Sequence, residues 1–151
     1  MDTDPIFTDI EEKKPIVLLV DDSEPTLELL KEYFDTANVK GHLECDIISA
    51  HDGQEAVDLI DLWQPAIVIC DIQMPKKNGL EVFEHFNNRS RKQNPYCFFC
   101  LLTNMEEERA HAFRVGVDGF LAKKELNYFP FTLLLKSWLR LVAFERKYGE
   151  L

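Results

Sequence analysis

The chain has 151 residues, 46% of them hydrophobic, and carries a formal net charge of -10. This length and hydrophobic content exclude a disordered acidic tail and suffice for one domain with a buried core. The negative charge would repel nucleic-acid phosphates and anionic membranes, so we expect no direct contact with either and favour a basic protein partner or a divalent cation.

The first 14 residues are polar and mostly acidic. We expect a flexible acidic lead-in over residues 1–14, followed by a single domain over residues 15–151. The lead-in lacks the basic start and apolar run of a signal peptide, and no stretch of the sequence is long and apolar enough to cross a bilayer. These features predict a cytoplasmic protein.

Short apolar runs alternate with longer amphipathic ones along the rest of the chain. The first strand is predicted at Ile16–Val20, a continuous aliphatic run typical of a parallel strand buried on both faces. A helix from about Pro25 to Thr36 follows, with Ser23 placed to cap it. A weaker strand is expected over Leu43–Ala50, and a second helix over Gln54–Leu62.

The third strand is predicted at Ala66–Cys70, and the helix after the following loop covers Leu80–Asn87. The fourth strand is expected over Cys97–Leu102. Its Cys97 and Cys100 have the C-x-x-C spacing of zinc or redox sites. Because residues three apart on a strand point to opposite faces, we expect two buried reduced thiols there.

Asn104 is placed like an N-cap for the next helix, with Glu107 three residues on. That helix is predicted to end near Gly116, where glycine can take the left-handed closing conformation. A short last strand over Phe120–Ala122 and a final helix over Tyr128–Lys147 follow. An apolar stripe predicts the buried face of the final helix: Phe131, Leu134, Leu135, Trp138, Leu141 and Val142.

Five strands that alternate with five helices predict an α/β fold, a doubly wound five-stranded parallel sheet flanked by helices. Ligands of such folds bind outside the carboxyl ends of the strands. The residues that follow the strands are therefore the first place to look for a functional site.

Polar side chains follow four of the predicted strands. The first strand runs into Asp21 and Asp22, the third into Asp71, the fourth into Thr103 and the fifth into Lys123. Adjacent carboxylates repel one another unless a cation neutralises them, and their oxygens suit Mg²⁺. The lysine and the hydroxyl could hold the oxygens of a phosphoryl group, which an aspartate in such a pocket can attack.

Four segments, taken in order, resemble the receiver domains of bacterial response regulators. Residues 16–23 resemble the opening strand and acidic pair, and residues 71–79 resemble the phosphoacceptor loop with every fixed position filled. Residues 101–103 resemble the strand that ends in the switch hydroxyl, and residues 119–123 carry the switch aromatic and the lysine. The resemblance covers roughly Pro15 to Lys147.

The resemblance implies a flavodoxin-like receiver fold and a magnesium-dependent phosphorylation site. It assigns Asp71 as the nucleophile that takes a phosphoryl group from a histidine kinase or a histidine phosphotransfer protein. Mg²⁺, or Mn²⁺, would be bound by Asp22 directly and by Asp21 mainly through water. Asp71 itself and the backbone carbonyl of Gln73 would complete the protein's share of the ligands.

The resemblance also implies a signalling switch rather than an enzyme, although such a domain promotes its own phosphorylation and dephosphorylation. Lys123 would contact Asp71 and then the phosphoryl oxygens. Thr103 would move to bond a phosphoryl oxygen, and Phe120 would turn inward behind it. The surface formed by the fourth helix, fifth strand and fifth helix would then change its affinity for a downstream protein.

Two residues depart from the family's pattern. Lys124 stands where receivers usually have a proline after a cis peptide bond, which costs roughly 2.5–4 kcal/mol for other residues. We therefore expect either a strained bond here or a trans bond that places Lys123 differently. Asn104 stands where alanine or glycine is common. A larger side chain there would narrow access to Asp71, so we expect slow phosphorylation and slow hydrolysis.

Two other functions remain open at this point. A pseudo-receiver would serve as a phosphorylation-independent scaffold for proteins, although the intact Asp22, Asp71 and Lys123 count against it. A phosphohydrolase would use a covalent aspartyl intermediate, but Asp21 and Asp22 are adjacent rather than separated by one residue, and no cap domain for a substrate is apparent. From the short C-terminal end we expect a stand-alone receiver or one excised from a larger regulator.

Overall fold

A computed structural model describes residues 13–87 and 95–149, so the expected lead-in lies almost entirely outside the described residues. In these ranges five strands and five α-helices alternate. The strands are β1 (Ile16–Val20), β2 (Asp46–Ala50), β3 (Ile67–Cys70), β4 (Phe98–Thr103) and β5 (Gly119–Ala122). The helices are α1 (Glu24–Val39), α2 (Gly53–Trp63), α3 (Gly79–His85), α4 (Arg109–Val115) and α5 (Tyr128–Tyr148).

All five strands are parallel and lie in the order β2-β1-β3-β4-β5. The chain moves from β1 to one edge of the sheet and then returns past it to β3, so the strand order reverses between β1 and β3. The backbone N–H of Asp71 donates to the carbonyl of Val20 at 2.9 Å and keeps the ends of these two strands level. The predicted doubly wound α/β fold is confirmed.

Both faces of the sheet are buried by helices. Successive side chains of a strand point to opposite faces and so enter two different apolar clusters. Val17 belongs to the apolar cluster under α1 and α5, whereas Leu18 belongs to the cluster under α2, α3 and α4. Cys100 and Cys97 also divide between these two clusters and are buried thiols. The strand geometry therefore separates the C-x-x-C pair, as predicted.

Two expected helix caps are wrong. Ser23 precedes α1, but its side chain makes no capping bond, and its backbone N–H instead donates to the carboxylate of Asp21 at 2.9 Å. Asn104 does not cap α4, because a 3₁₀ turn over Glu106–Glu108 intervenes and the helix begins only at Arg109. The Asn104 side chain is used elsewhere, at the candidate site.

The last helix has a narrower buried face than its apolar stripe predicted. Phe131, Leu135 and Val142 are buried, whereas Leu134 and Leu141 are 39% and 40% exposed. The reason is that α5 packs on α1 and β3 through one side only. Within the described ranges, none of the helices combines the length and the apolar character that a bilayer crossing needs.

We expect Phe99→Ala to lower the free energy of unfolding by about 3–5 kcal/mol, because it would leave a cavity where Phe99 packs on Phe83 and Phe86. The matched control is Phe113→Ala. That ring is 85% exposed, so the same truncation should change stability by about 0.5 kcal/mol or less. Urea unfolding followed by circular dichroism would measure both, and equal losses would contradict the assigned core.

Candidate functional site

Three aspartates meet at the carboxyl edge of the sheet. Asp21 and Asp22 follow β1 and Asp71 follows β3, and one carboxylate oxygen from each lies within 4.8 Å of the others. Asp21 and Asp71 are only 1% and 5% exposed, whereas Asp22 is open to solvent. The edge therefore holds two buried negative charges and one exposed one.

Lys123 supplies the positive charge that this cluster needs. Its Nζ lies 2.8 Å from Oδ2 of Asp21 and 3.1 Å from Oδ2 of Asp71. The contact with Asp71 was predicted, but the shorter contact with Asp21 was not. The Lys123–Lys124 peptide bond is trans, so the trans geometry also brings the ammonium into the site.

The buried charges shift one another's proton affinities. Burial raises the pKa of Asp71 and the charge of Asp21 raises it further, so that it lies above its ordinary value although Lys123 and the N–H of Gln73 act to lower it. Burial acts to lower the pKa of Lys123, but the carboxylates of Asp21 and Asp71 outweigh burial and raise it. The ammonium is therefore held in its charged form between the two aspartates.

The loop after Asp71 is tight enough to require a glycine. A Cβ atom at Gly79 would collide with the backbone carbonyl of Asp71. Asn78 and Glu81 then form a reciprocal capping box, so that α3 begins directly after the loop. The backbone N–H of Gln73 donates to Oδ1 of Asp71 at 3.4 Å, which orients the carboxylate toward the edge.

The two predicted switch residues lie on the paired strands β4 and β5. Thr103 ends β4 and is 3% exposed, and its hydroxyl accepts a hydrogen bond from the backbone N–H of Met105 at 3.2 Å. Phe120 is half-buried on β5, and the guanidinium of Arg109 lies 4.9 Å from its ring centroid. Sequence reasoning did not identify Arg109, because a contact between the start of α4 and a side chain of β5 leaves no local pattern.

An open depression of about 460 Å³ reaches the site at Asp22. Its lining residues are Asp22, Ile72, Gln73, Met74, Asn78 and Met105. The side chain of Asn104, expected to narrow access to Asp71, instead accepts a hydrogen bond from the backbone N–H of Lys124 at 2.9 Å. Met105, rather than Asn104, is the neighbour of Thr103 that lines the depression.

The donor set suits a small divalent cation. Mg²⁺ prefers carboxylate and carbonyl oxygens and keeps several waters in its shell. Asp21, Asp22 and Asp71 offer three such oxygens, and the exposure of Asp22 leaves that side open to water. A cation would also relieve the repulsion between the carboxylates, which Lys123 now offsets in part.

The chain matches a family model described as a response regulator receiver domain over residues 17–127. Among curated proteins, the Regulator of RpoS from Escherichia coli (strain K12) is 35% identical over 113 residues, which make up 74% of this chain and 31% of that protein. The chain thus spans less than a third of the length of that relative.

Solved structures show the same fold. The signal receiver domain of an HD domain-containing protein from Pseudomonas fluorescens Pf-5 is similar with a TM-score of 0.76 and 20% identity, covering 91% of this chain and 96% of that one. The response regulator TrrA from Thermotoga maritima, solved in complex with Mg(2+)-BeF, has a TM-score of 0.67 and 27% identity, covering 82% and 98%.

We expect Asp71→Asn to melt at a higher temperature than the wild type at neutral pH in the absence of divalent metal. A raised pKa means that the folded protein holds this proton more tightly than the unfolded chain does. The stability that protonated Asp71 contributes is therefore fully present below the ordinary carboxyl pKa of about 4 and is lost as pH rises through the raised value.

The measurement is thermal unfolding from pH 3 to pH 8, and the gap between the variant and the wild type should close at the acidic end. Asp22→Asn is the control, because that carboxylate is exposed and removing its charge should change the melting temperature little. A variant less stable than the wild type at neutral pH would contradict the destabilising effect assigned to the buried charge of Asp71.

Proposed function

Since the chain belongs to the response regulator receiver domain family of two-component signalling, we propose that it is a phosphorylation switch with Asp71 as its phosphoacceptor. The observation that carries this proposal is the position of Lys123, whose ammonium lies between the buried carboxylates of Asp21 and Asp71. A buried carboxylate held next to a cation and open to one side is suited to attack an incoming phosphoryl group.

The proposed donor is a phosphohistidine on a histidine kinase or a histidine phosphotransfer protein. One oxygen of the ionised Asp71 carboxylate bonds to phosphorus while the bond between phosphorus and the imidazole nitrogen breaks, and the electron pair of that bond stays on the imidazole. Hydrolysis later adds water at phosphorus, releases inorganic phosphate and regenerates the carboxylate. Lys123 keeps Asp71 ionised for the first step and meets the phosphoryl oxygens after it.

Asp21, Asp22, Asp71 and the backbone carbonyl of Gln73 would hold Mg²⁺ or Mn²⁺. When bound, such an ion offsets the charge of the phosphoryl oxygens. The three carboxylates support this assignment because their oxygens already lie within 4.8 Å of one another. The similar TrrA structure, solved in complex with Mg(2+)-BeF, supports it as well.

We assign the switch to Thr103 and Phe120. The Thr103 hydroxyl leaves the N–H of Met105 and bonds to a phosphoryl oxygen, and Phe120 leaves the guanidinium of Arg109 and turns inward. New charge-assisted bonds at the site thereby favour one of two arrangements of the face formed by α4, β5 and α5. A downstream protein partner would bind this face in one arrangement better than in the other.

The first test is phosphorylation itself. We expect the wild type, incubated with Mg²⁺ and acetyl phosphate, to gain one phosphoryl group by intact mass spectrometry, and Asp71→Ala or omission of Mg²⁺ to abolish the gain. Asp58→Ala, which removes an exposed carboxylate on α2, is the matched control and should label like the wild type. If folded wild-type protein that binds Mg²⁺ gains nothing, the switch is wrong and a phosphorylation-independent scaffold takes its place.

A second test uses the sign of the change in metal affinity. Asp22→Ala should weaken Mg²⁺ binding at least about tenfold, because it removes a ligand oxygen. Lys123→Met should strengthen Mg²⁺ binding, because the ammonium now competes with the ion for Asp21 and Asp71. Isothermal titration calorimetry measures both, and changes of the same sign would refute the assigned site.

A further inference from the structure

The ladder between β4 and β5 is continued by a side chain. The two strands pair in parallel, and the last pair in register is Thr103 with Ala122. Beyond it the backbones separate, since β4 enters the loop to α4 and β5 enters the 3₁₀ turn Lys123–Glu125. At this point the Asn104 amide oxygen accepts the backbone N–H of Lys124 at 2.9 Å, which adds one more cross-strand bond.

This bond lies next to the residue that completes the charged site. On its N-terminal side Lys123 is held by Ala122, which is paired in the sheet and 2% exposed. On its C-terminal side it is held by Lys124, whose N–H is bonded to Asn104. The backbone of Lys123 is thus fixed at both ends, and its long side chain reaches back across the sheet edge to the carboxylates that follow β1 and β3.

We propose that Asn104 is a positioning residue for Lys123, acting through the N–H of Lys124. This inference rests on the proposed function, because it concerns how well the Lys123 ammonium serves Asp71. Without the bond, the first turn after β5 is free to move, and the ammonium spends less time between Asp21 and Asp71. Phosphorylation of Asp71 then slows, although Asn104 does not line the depression through which a donor would approach.

The direction in which Asn104→Ala changes the phosphorylation rate distinguishes a positioning role from steric blocking of the donor. If the bulk of Asn104 blocked the donor, Asn104→Ala would accelerate phosphorylation. If Asn104 positions Lys123, the same variant slows it by about three- to tenfold, the size expected for the loss of one partly exposed hydrogen bond. Asn127→Ala is the matched control, because Asn127 precedes α5 without a side-chain capping bond and should leave the rate unchanged.

The decisive measurement compares Asn104→Ala in the wild type and in a Lys123→Ala background, with acetyl phosphate and Mg²⁺. A positioning residue that acts through Lys123 has no effect once Lys123 is gone, so we expect the loss in the first background only. A loss of equal size in both backgrounds, or an acceleration in either, overturns the proposal. Amide hydrogen exchange at Lys124 should also become severalfold faster in Asn104→Ala, and unchanged exchange overturns it equally.

Measuring the Mg²⁺ affinity tests the positioning role of Asn104 even if Asp71 proves not to be phosphorylated. With Lys123 present, Asn104→Ala should tighten Mg²⁺ binding severalfold, in the direction of Lys123→Met, because the competing ammonium is less well placed. With Lys123 replaced by alanine, Asn104→Ala should leave the Mg²⁺ dissociation constant unchanged. If the wild type binds Mg²⁺ but accepts no phosphoryl group, only the proposed phosphorylation switch is wrong. If Asn104→Ala leaves the Mg²⁺ affinity unchanged in both backgrounds, the positioning role of Asn104 is wrong.

Discussion

The site depends on one electrostatic constraint, which is that two buried carboxylates must lie side by side without driving the strands apart. Asp21 and Asp71 are almost fully removed from solvent, and like charges repel strongly where water cannot screen them. One ammonium, from Lys123, reaches both of them. The fold must therefore hold the end of β5 in register with the ends of β1 and β3, because the neutralising charge comes from there.

The parallel sheet meets this constraint through its backbone. The ends of β1, β2 and β3 stay level because the N–H of Asp21 donates to the carbonyl of Ala50 and the N–H of Asp71 donates to the carbonyl of Val20. Where the ladder would end, between β4 and β5, the Asn104 side chain adds a further bond to Lys124. The same edge thus provides both the rigid frame and the charged groups, which places the charged cluster at the point where the strand order reverses.

This arrangement leaves the negative charge of the cluster only partly compensated. Burial and the neighbouring Asp21 leave Asp71 with a raised pKa even though Lys123 is close, so the carboxylate remains only partly compensated. A site with more positive charge would be more stable but would leave Asp71 less available for the proposed attack on phosphorus. Binding of a divalent cation would relieve the residual repulsion, which gives the fold a physical reason to respond to such an ion.

The sequence by itself determined the order of strands and helices and the identity of the charged residues, because both follow from local patterns. A run such as Ile16–Val20 has only one good environment, a strand buried on both faces, and whatever follows it lies at the sheet edge. Only the tertiary structure decided that Lys123 serves Asp21 as well as Asp71, and that Asn104 bonds to Lys124 instead of capping α4. These contacts join residues far apart in the chain, so no local pattern reveals them. A side chain such as that of Asn104 can bond either the helix that follows it or a neighbouring loop, and it bonds the partner that the packed sheet brings within reach.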